Sequence, residues 1–537
     1  MYGLSSDRGP VEIDACLVFI RYAGLGEGEM SAACRSILAP MLWVAAVSSA
    51  AAAPLQTAET VSRVRKALGY DQMAKAPAIE IRGTADDSGI TGAFRFTYEP
   101  NGHYFCTVGG LLGGEGGFDG STCWACDRPR ATRRLECSIR ERALLDAWLL
   151  SGYWLKGPLE IDLLDSDPGK QIVLAIRLKG GRLHGTLTID PLTFLPARLR
   201  LETGPLAETW TYLDYRLVLG GKLPHRIVHE ALGSADTIAI TDVRAARYDP
   251  ALFRFKSRPA DNVHFDPAKA AAVPARRTRT GHLVVRPLID GKDVGWFLLD
   301  TGAAGIVIDR AVAQRLELPA VGATPLRGVG GTVQTRYRQA RSFRLGRMTL
   351  IDPTMLEFDL QSAPALVGEP VAGLAGFPVF ESAVVEVDVS QPAVALYDPA
   401  HYDGQAISWR ELVLDGYLPC VRGRFEGNRE GLFTLDTGMA SNVCFNARAI
   451  KELALLSGRQ TAAGTSAGVG GDARNRQGTI DWFELAGQRF EKPRAAFDLD
   501  AAGGYLEQDT LGDLGQGFLK PFRVVFWYRE KKIAFLK

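Results

Sequence analysis

From residue 57 onward the chain is a succession of short segments in which apolar and polar residues alternate, each bounded by Gly, Pro, Asp or Asn. A period of two is what half-buried strands require, because successive side chains leave a strand on opposite faces. Ile79 to Arg82, Phe94 to Tyr98, Leu159 to Leu164, Gln171 to Leu178, Leu183 to Ile189, Ala197 to Glu202, Glu208 to Tyr215 and Thr237 to Val243 read as strands of an antiparallel sheet, closed by a strand over Tyr248 to Phe255. Two segments break that period. Val61, Val64 and Leu68 lie at helical spacing and predict an amphipathic helix over 57–69. Ala143, Leu144, Ala147, Trp148 and Leu150 predict a second, with Ser138 and Glu141 as its capping box. The glycines between Gly109 and Gly120 lack the Gly-Lys-Ser/Thr ending of a phosphate loop and read as turns. A Pro-, Ala- and Arg-rich stretch, 257–280, reads as a linker.

Beyond it one pattern occurs twice. Gly295-Trp-Phe-Leu-Leu-Asp300-Thr301-Gly302-Ala303 is matched by Gly431-Leu-Phe-Thr-Leu-Asp436-Thr437-Gly438-Met439, each Asp-Thr-Gly ending an apolar strand. Val307 and Val443 follow at the same distance, then the helical segments Arg310 to Leu318 and Ala447 to Leu455. Next come Gly328-Val329-Gly330-Gly331 and Gly468-Val469-Gly470-Gly471. Pro353 with Phe358-Asp359-Leu360 corresponds to Pro493 with Phe497-Asp498-Leu499, and Leu374-Ala375-Gly376-Phe377 to Leu514-Gly515-Gln516-Gly517-Phe518. Both copies end in apolar strands, Ala383 to Val389 and Arg523 to Trp527. A lone Asp-Thr-Gly is a weak signal; two copies with shared landmarks in the same order are a strong one.

Charge adds little: 62 basic residues against 61 acidic give no electrostatic case for a nucleic-acid partner, and Arg276, Arg277 and Arg279 read as a solvated linker. Arg35, the apolar run Ile37 to Val47 and the small residues Ser48 to Ala53 have the layout of a signal peptide over 30–53, so export to a periplasm or the exterior is expected. Residues 1–29, with five acidic side chains, suit no signal and are expected to be an artefact upstream of a true start at Met30, or disordered. Six cysteines follow the signal, and an exported chain permits disulfides: local ones among Cys106, Cys123, Cys126 and Cys137, and either a bond or two buried thiols at Cys420 and Cys444. The histidines are scattered, and no metal or organic cofactor is implied.

The repeat, over 281–537, resembles the retropepsin and pepsin superfamily. The resemblance implies a mainly β chain with two retropepsin-like β-barrel lobes, 281–400 and 401–537, forming a pseudo-dimer within one polypeptide and needing no second chain. It implies that Asp300 and Asp436 are the catalytic pair of an aspartic endopeptidase acting on a peptide or protein substrate. Thr301, Gly302, Thr437 and Gly438 would support the active-site loops, and Gly328, Gly330, Gly331, Gly468, Gly470 and Gly471 would form two flaps. Two carboxylates held together share a proton, so one can activate water while the other protonates the substrate carbonyl. Met439 departs from the Ala or Ser usual after Asp-Thr-Gly and would reshape the floor of the site.

Residues 57–256 resemble the lipoprotein-carrier half-barrel, a curved antiparallel sheet wrapped on helices, through Phe118-Asp119-Gly120-Ser121-Thr122, Trp124 and Tyr248-Asp249-Pro250. This resemblance implies an apolar groove for a lipid or peptide tail. The rival reading of the whole chain is a non-catalytic periplasmic protein that binds peptide or lipid on the same scaffold.

Overall fold

The alternating segments do become strands, and the described residues are mainly β, with 51% in strands against 14% in helices. The computed structural model describes residues 56–126, 131–167, 171–203, 206–360, 368–499 and 509–537. The expected signal peptide and the segment before it lie outside these.

Residues 78–246 build one 13-stranded antiparallel sheet. Its two outermost strands are Thr132–Arg134 and Leu159–Asp167, and its first and last long strands, Ala78–Asp87 and Ser234–Ala246, pair with each other near the middle. Twelve spacings of about 4.8 Å would make a flat sheet nearly 60 Å wide. Yet the helix Cys137–Ser151 meets both ends: Trp148 packs edge-on against Phe118 at 5.8 Å, while Glu141 accepts the N–H groups of Arg182 and Leu183. The sheet therefore curls around this helix and Thr57–Leu68. Leu144, Leu145, Leu174, Leu187 and Leu199, all nearly or fully buried, share one core inside the curve.

Four local expectations give way here. Glu141 is turned to that distant loop, so there is no capping box, and the N–H of Ser138 is taken instead by Asp509 Oδ2 at 2.8 Å, 371 residues away. Tyr248 to Phe255 is not a strand; Asp249 caps a short helix, Pro250–Phe253, and the sheet closes earlier, at Ala246. The Gly-rich stretch contains a strand, Gly114–Phe118, because Gly116 and Gly117 stand where a β-carbon would crowd the neighbouring strands. The six described cysteines form no disulfide with one another. Cys123 and Cys126 share one strand at opposite parity, so they point to opposite faces and cannot bond.

The segment read as a linker is built into the next unit. Val263–Phe265, Ala272–Val273 and Ala275–Arg277 pair with Met348–Ile351, Ala393–Tyr397 and Leu283–Val285 respectively. Arg276 forms an ion pair with Glu369 at 2.8 Å and lies over Trp296, so it is no solvated linker residue. The stretches around Asp300 and Asp436 share a strand-pairing pattern. In each, the strand carrying Asp-Thr-Gly runs parallel to the Leu-containing bracing strand, which pairs antiparallel with the strand after the loop. The first lobe holds sheets of eight and five strands and the second a sheet of ten, in open order rather than as closed barrels. A six-stranded sheet joins them, where Val384–Asp388 of the first copy pairs with Arg523–Trp527 of the second. Cys420 and Cys444 lie on strands separated by two others, which places a bond between them out of reach.

The second lobe packs on aromatic rings. Phe445 is fully buried, with Phe425 at 5.2 Å, Phe497 at 5.6 Å and Phe433 at 6.0 Å between ring centres. Phe445→Ala is expected to cost about 3–5 kcal/mol, the usual price of an aromatic cavity, read as an earlier unfolding transition in a denaturant titration.

Candidate active site

Each Asp-Thr-Gly sits where an apolar strand stops. Phe297–Leu299 is buried throughout and Arg429–Leu435 over its last three residues, and the carboxyl groups that follow are fully buried too. The chain turns immediately: the N–H of Gly302 donates to Asp300 Oδ1 at 2.9 Å, and that of Gly438 to Asp436 Oδ1 at 2.7 Å. Glycine at 302 is dictated by the partner loop, since a β-carbon there would stand 2.6 Å from Asp436 Oδ1. The two aspartates, 136 residues apart by subtraction, thus meet at one point.

The threonines tie the loops together. Thr301 N–H donates to Thr437 Oγ1 at 3.0 Å and Thr437 N–H to Thr301 Oγ1 at 2.9 Å. Thr301 Oγ1 donates to the Leu435 carbonyl at 2.6 Å, and Thr437 Oγ1 to that of Leu299 at 2.7 Å. The bracing elements close from behind. Phe377 N–H donates to the Ala303 carbonyl at 2.8 Å, and Gln516 N–H to that of Met439 at 2.8 Å. Gln516 Nε2 also donates to the Thr437 carbonyl at 2.5 Å.

Electrostatics follow from this geometry. Burial, then the charge of Asp436, then the hydrogen bond between the two carboxyls push Asp300 well above the ordinary 3.8, against the pull of the Gly302 and Ala303 amides. A pair so placed titrates as a unit and holds a proton where an isolated aspartate would not.

The six tip glycines also come together. Gly330 N–H donates to the Val469 carbonyl at 3.0 Å, so the hairpin tips meet. A β-carbon on Gly328 would lie 2.5 Å from Val469 Cβ, one on Gly468 2.8 Å from Val329 Cβ, and one on Gly470 2.5 Å from Gly331. A β-carbon on Gly330 would be closer still, 2.1 Å from the Gly471 carbonyl carbon. Val469 packs into the first lobe with Leu298, Ala303 and Leu326, whereas Val329 packs into the second with Leu418, Met439 and Cys444. Each valine therefore crosses to the other copy. Met439 shares the cluster of Val329, and Tyr337 lies in the first cluster, both buried.

Two residues at the site carried no motif. His282 is fully buried, with Nδ1 2.7 Å from Thr280 Oγ1; burial pushes it down to about 4, opposed by a hydrogen bond to the backbone of Gly438 in the second loop. Tyr528 stacks on Phe380 at 5.4 Å, and its phenol is pushed far up, first by burial and then by Cys420, Glu381 and both aspartates. Their only signal in sequence is a polar atom within an apolar run. Among the described residues one group, Cys137, Asp415 and Asp509, has metal-ligand chemistry in close array, and it lies at the boundary with the N-terminal domain rather than at the aspartates.

Residues 285–379 match the family model described as aspartyl protease, a stretch that holds Asp300 and the first hairpin. No curated protein matches the chain. Among solved structures, it is similar to a LolA superfamily protein from Nitrosomonas europaea, at 15% identity over 36% of this chain and 97% of that one, with a TM-score of 0.29. A DUF1329 family protein from Desulfovibrio piger gives 12%, 36%, 96% and 0.28 on the same measures. A retropepsin-like aspartic protease from Rickettsia conorii gives 18%, 22%, 89% and 0.17.

Thr301→Val removes a hydroxyl that serves two buried backbone groups. Each group left unpaired costs about 1–3 kcal/mol, so a lowered denaturation midpoint is expected, with Thr301→Ser retaining most of the stability.

Proposed function

We propose that the chain is a single-chain aspartic endopeptidase in which two tandem retropepsin-like copies contribute one aspartate each. The observation that carries this reading is the convergence of two buried carboxyls, from equivalent loops, on one point where each loop braces the other. The shared proton divides the labour. The ionised carboxyl takes a proton from water, the protonated one donates to the scissile carbonyl oxygen, and water attacks with no covalent intermediate. The substrate is an extended peptide held under the two hairpins through its backbone. Every part of the site lies on one polypeptide, so the peptidase works as a monomer, and its place of action is the periplasm or the exterior. The N-terminal domain, on this reading, presents an apolar groove to a lipid or peptide tail.

Asp300→Asn and Asp436→Asn are each expected to reduce cleavage of a peptide library at least about a thousandfold, the scale of losing an acid–base partner. Rate proportional to protein concentration would support a monomeric site. Full activity in either variant would remove the shared-proton mechanism, and tight binding of a statin-type peptide without turnover would favour the binding-protein reading.

Stability gives a second test. Above pH 3.8, the ordinary aspartate value, the folded pair binds more protons than the unfolded chain. Stability therefore falls as pH rises from there through the raised value, beyond which the loss is complete. Asp300→Asn is expected to flatten this fall, and Asp436→Asn, which removes the neighbouring charge but not the burial of Asp300, to reduce it in part; both are expected to melt higher than the parent at neutral pH, as thermal scans across a pH series would reveal.

A further inference from the structure

The two cover hairpins share a tip sequence but differ in the length of their first strand, nine residues against seven, and in their surroundings. In the second, Ala462–Gly468 runs opposite Gly471–Thr479 in unbroken register. In the first, the register of Ala320–Gly328 against Gly331–Gln339 slips between Val321 and Thr324. Gly322 and Ala323 form a bulge there, and Gly322 is left-handed at φ +61. A bulge on an outer strand turns a backbone group away from its own hairpin, and Ala323 N–H donates at 2.8 Å to the carbonyl of Ser88 in the N-terminal domain.

Ser88 and Gly89 form the turn between Ala78–Asp87 and Ile90–Tyr98. That turn is itself held rigidly: Ser88 is buried, and its N–H donates to Asp236 Oδ1 at 3.1 Å. The approach to the hairpin is close. A β-carbon on Gly322 would lie 2.6 Å from the Ser88 carbonyl oxygen and 2.9 Å from Ile90 Cδ1, so only glycine fits. Beside this bond, Ile90 and Leu112 of the N-terminal domain pack on the cluster that contains Leu326, Tyr337 and Val469. The matching cluster under the second hairpin, with Val329, Met439 and Ala473, draws none of its described members from the N-terminal domain.

We propose that the turn Ser88–Ile90 is a positioning element of the candidate active site: it pins the first hairpin, so that the second is the one that lifts to uncover the aspartates. The peptidase reading supplies only what the opening admits; the motion belongs to the uncomplexed chain. Tip contacts that cross between copies, such as Gly330 to Val469, must break when either hairpin moves. The hairpin with the additional anchorage opens less often.

Hydrogen–deuterium exchange of the full chain, resolved by mass spectrometry, tests this without a substrate. Peptides within 462–478 are expected to exchange about tenfold faster than those within 320–338, the scale set by one added hydrogen bond and its apolar packing. Ile90→Asp should bring the first hairpin to the rate of the second, while protection in 221–246 shows that the N-terminal sheet stays folded. Leu112→Asp gives the same test from a second position, and Ile90→Val should behave as the parent. Equal exchange of the hairpins in the parent chain, or an unchanged first hairpin in both Asp variants, would overturn the proposal. A chain inactive on every peptide that still showed the exchange difference would count against the peptidase reading alone.

Discussion

Two hydroxyl groups hold the two halves of the repeat in register. Thr301 and Thr437 each accept the other's amide and each donate across the boundary to the strand that delivers the opposite aspartate. Four buried backbone groups are satisfied only while the copies stay together. Since an unpaired buried polar group costs far more than a made hydrogen bond gains, this is a condition on the assembly as well as a contribution to it. The closeness of the carboxyls depends on it directly. Like charges in a dry site would drive the loops apart, and a shared proton combined with a rigid frame is the arrangement that lets them stay.

The frame is symmetric, but its surroundings are not. Phe377 follows the bracing glycine in the first copy, whereas Gln516 reaches the Thr437 carbonyl in the second. Met439 stands where the first copy has Ala303, and His282 reaches the loop of the second copy from the first. Two carboxyls in such different settings need not be equivalent, even though the loops that bear them superpose in pattern.

Much of this was legible in the sequence because it is governed by local periodicity. The strands appear wherever side chains alternate, and Gln171–Leu178 and Arg523–Trp527 have the bounds their patterns predict. The landmarks of the repeat are legible for a related reason: close packing of tips and loops permits only glycine at several positions, so the motif records the packing. What stayed hidden was long-range. Glu141 had the spacing of a capping residue, but a loop from the far end of the sheet claimed it. The stretch 257–280 looked like free chain because two- and three-residue strands leave no period to detect. His282 and Tyr528 owe their positions to tertiary packing and carried no pattern of their own. No local signal marked the bulge at Gly322, whose cause lies more than two hundred residues earlier, at Ser88.

The bond from Ser138 to Asp509 also bears on how the molecule is made. The helix Cys137–Ser151 belongs to the N-terminal sheet, yet the acceptor at its first turn arrives 371 residues later. At roughly 5–20 residues per second on a ribosome, that interval is on the order of 20 to 70 seconds. Until Asp509 is in place the first turn of this helix lacks its acceptor, so the N-terminal region is not complete on its own. A later segment completes an earlier one, which makes the joining of the two regions a physical step of assembly.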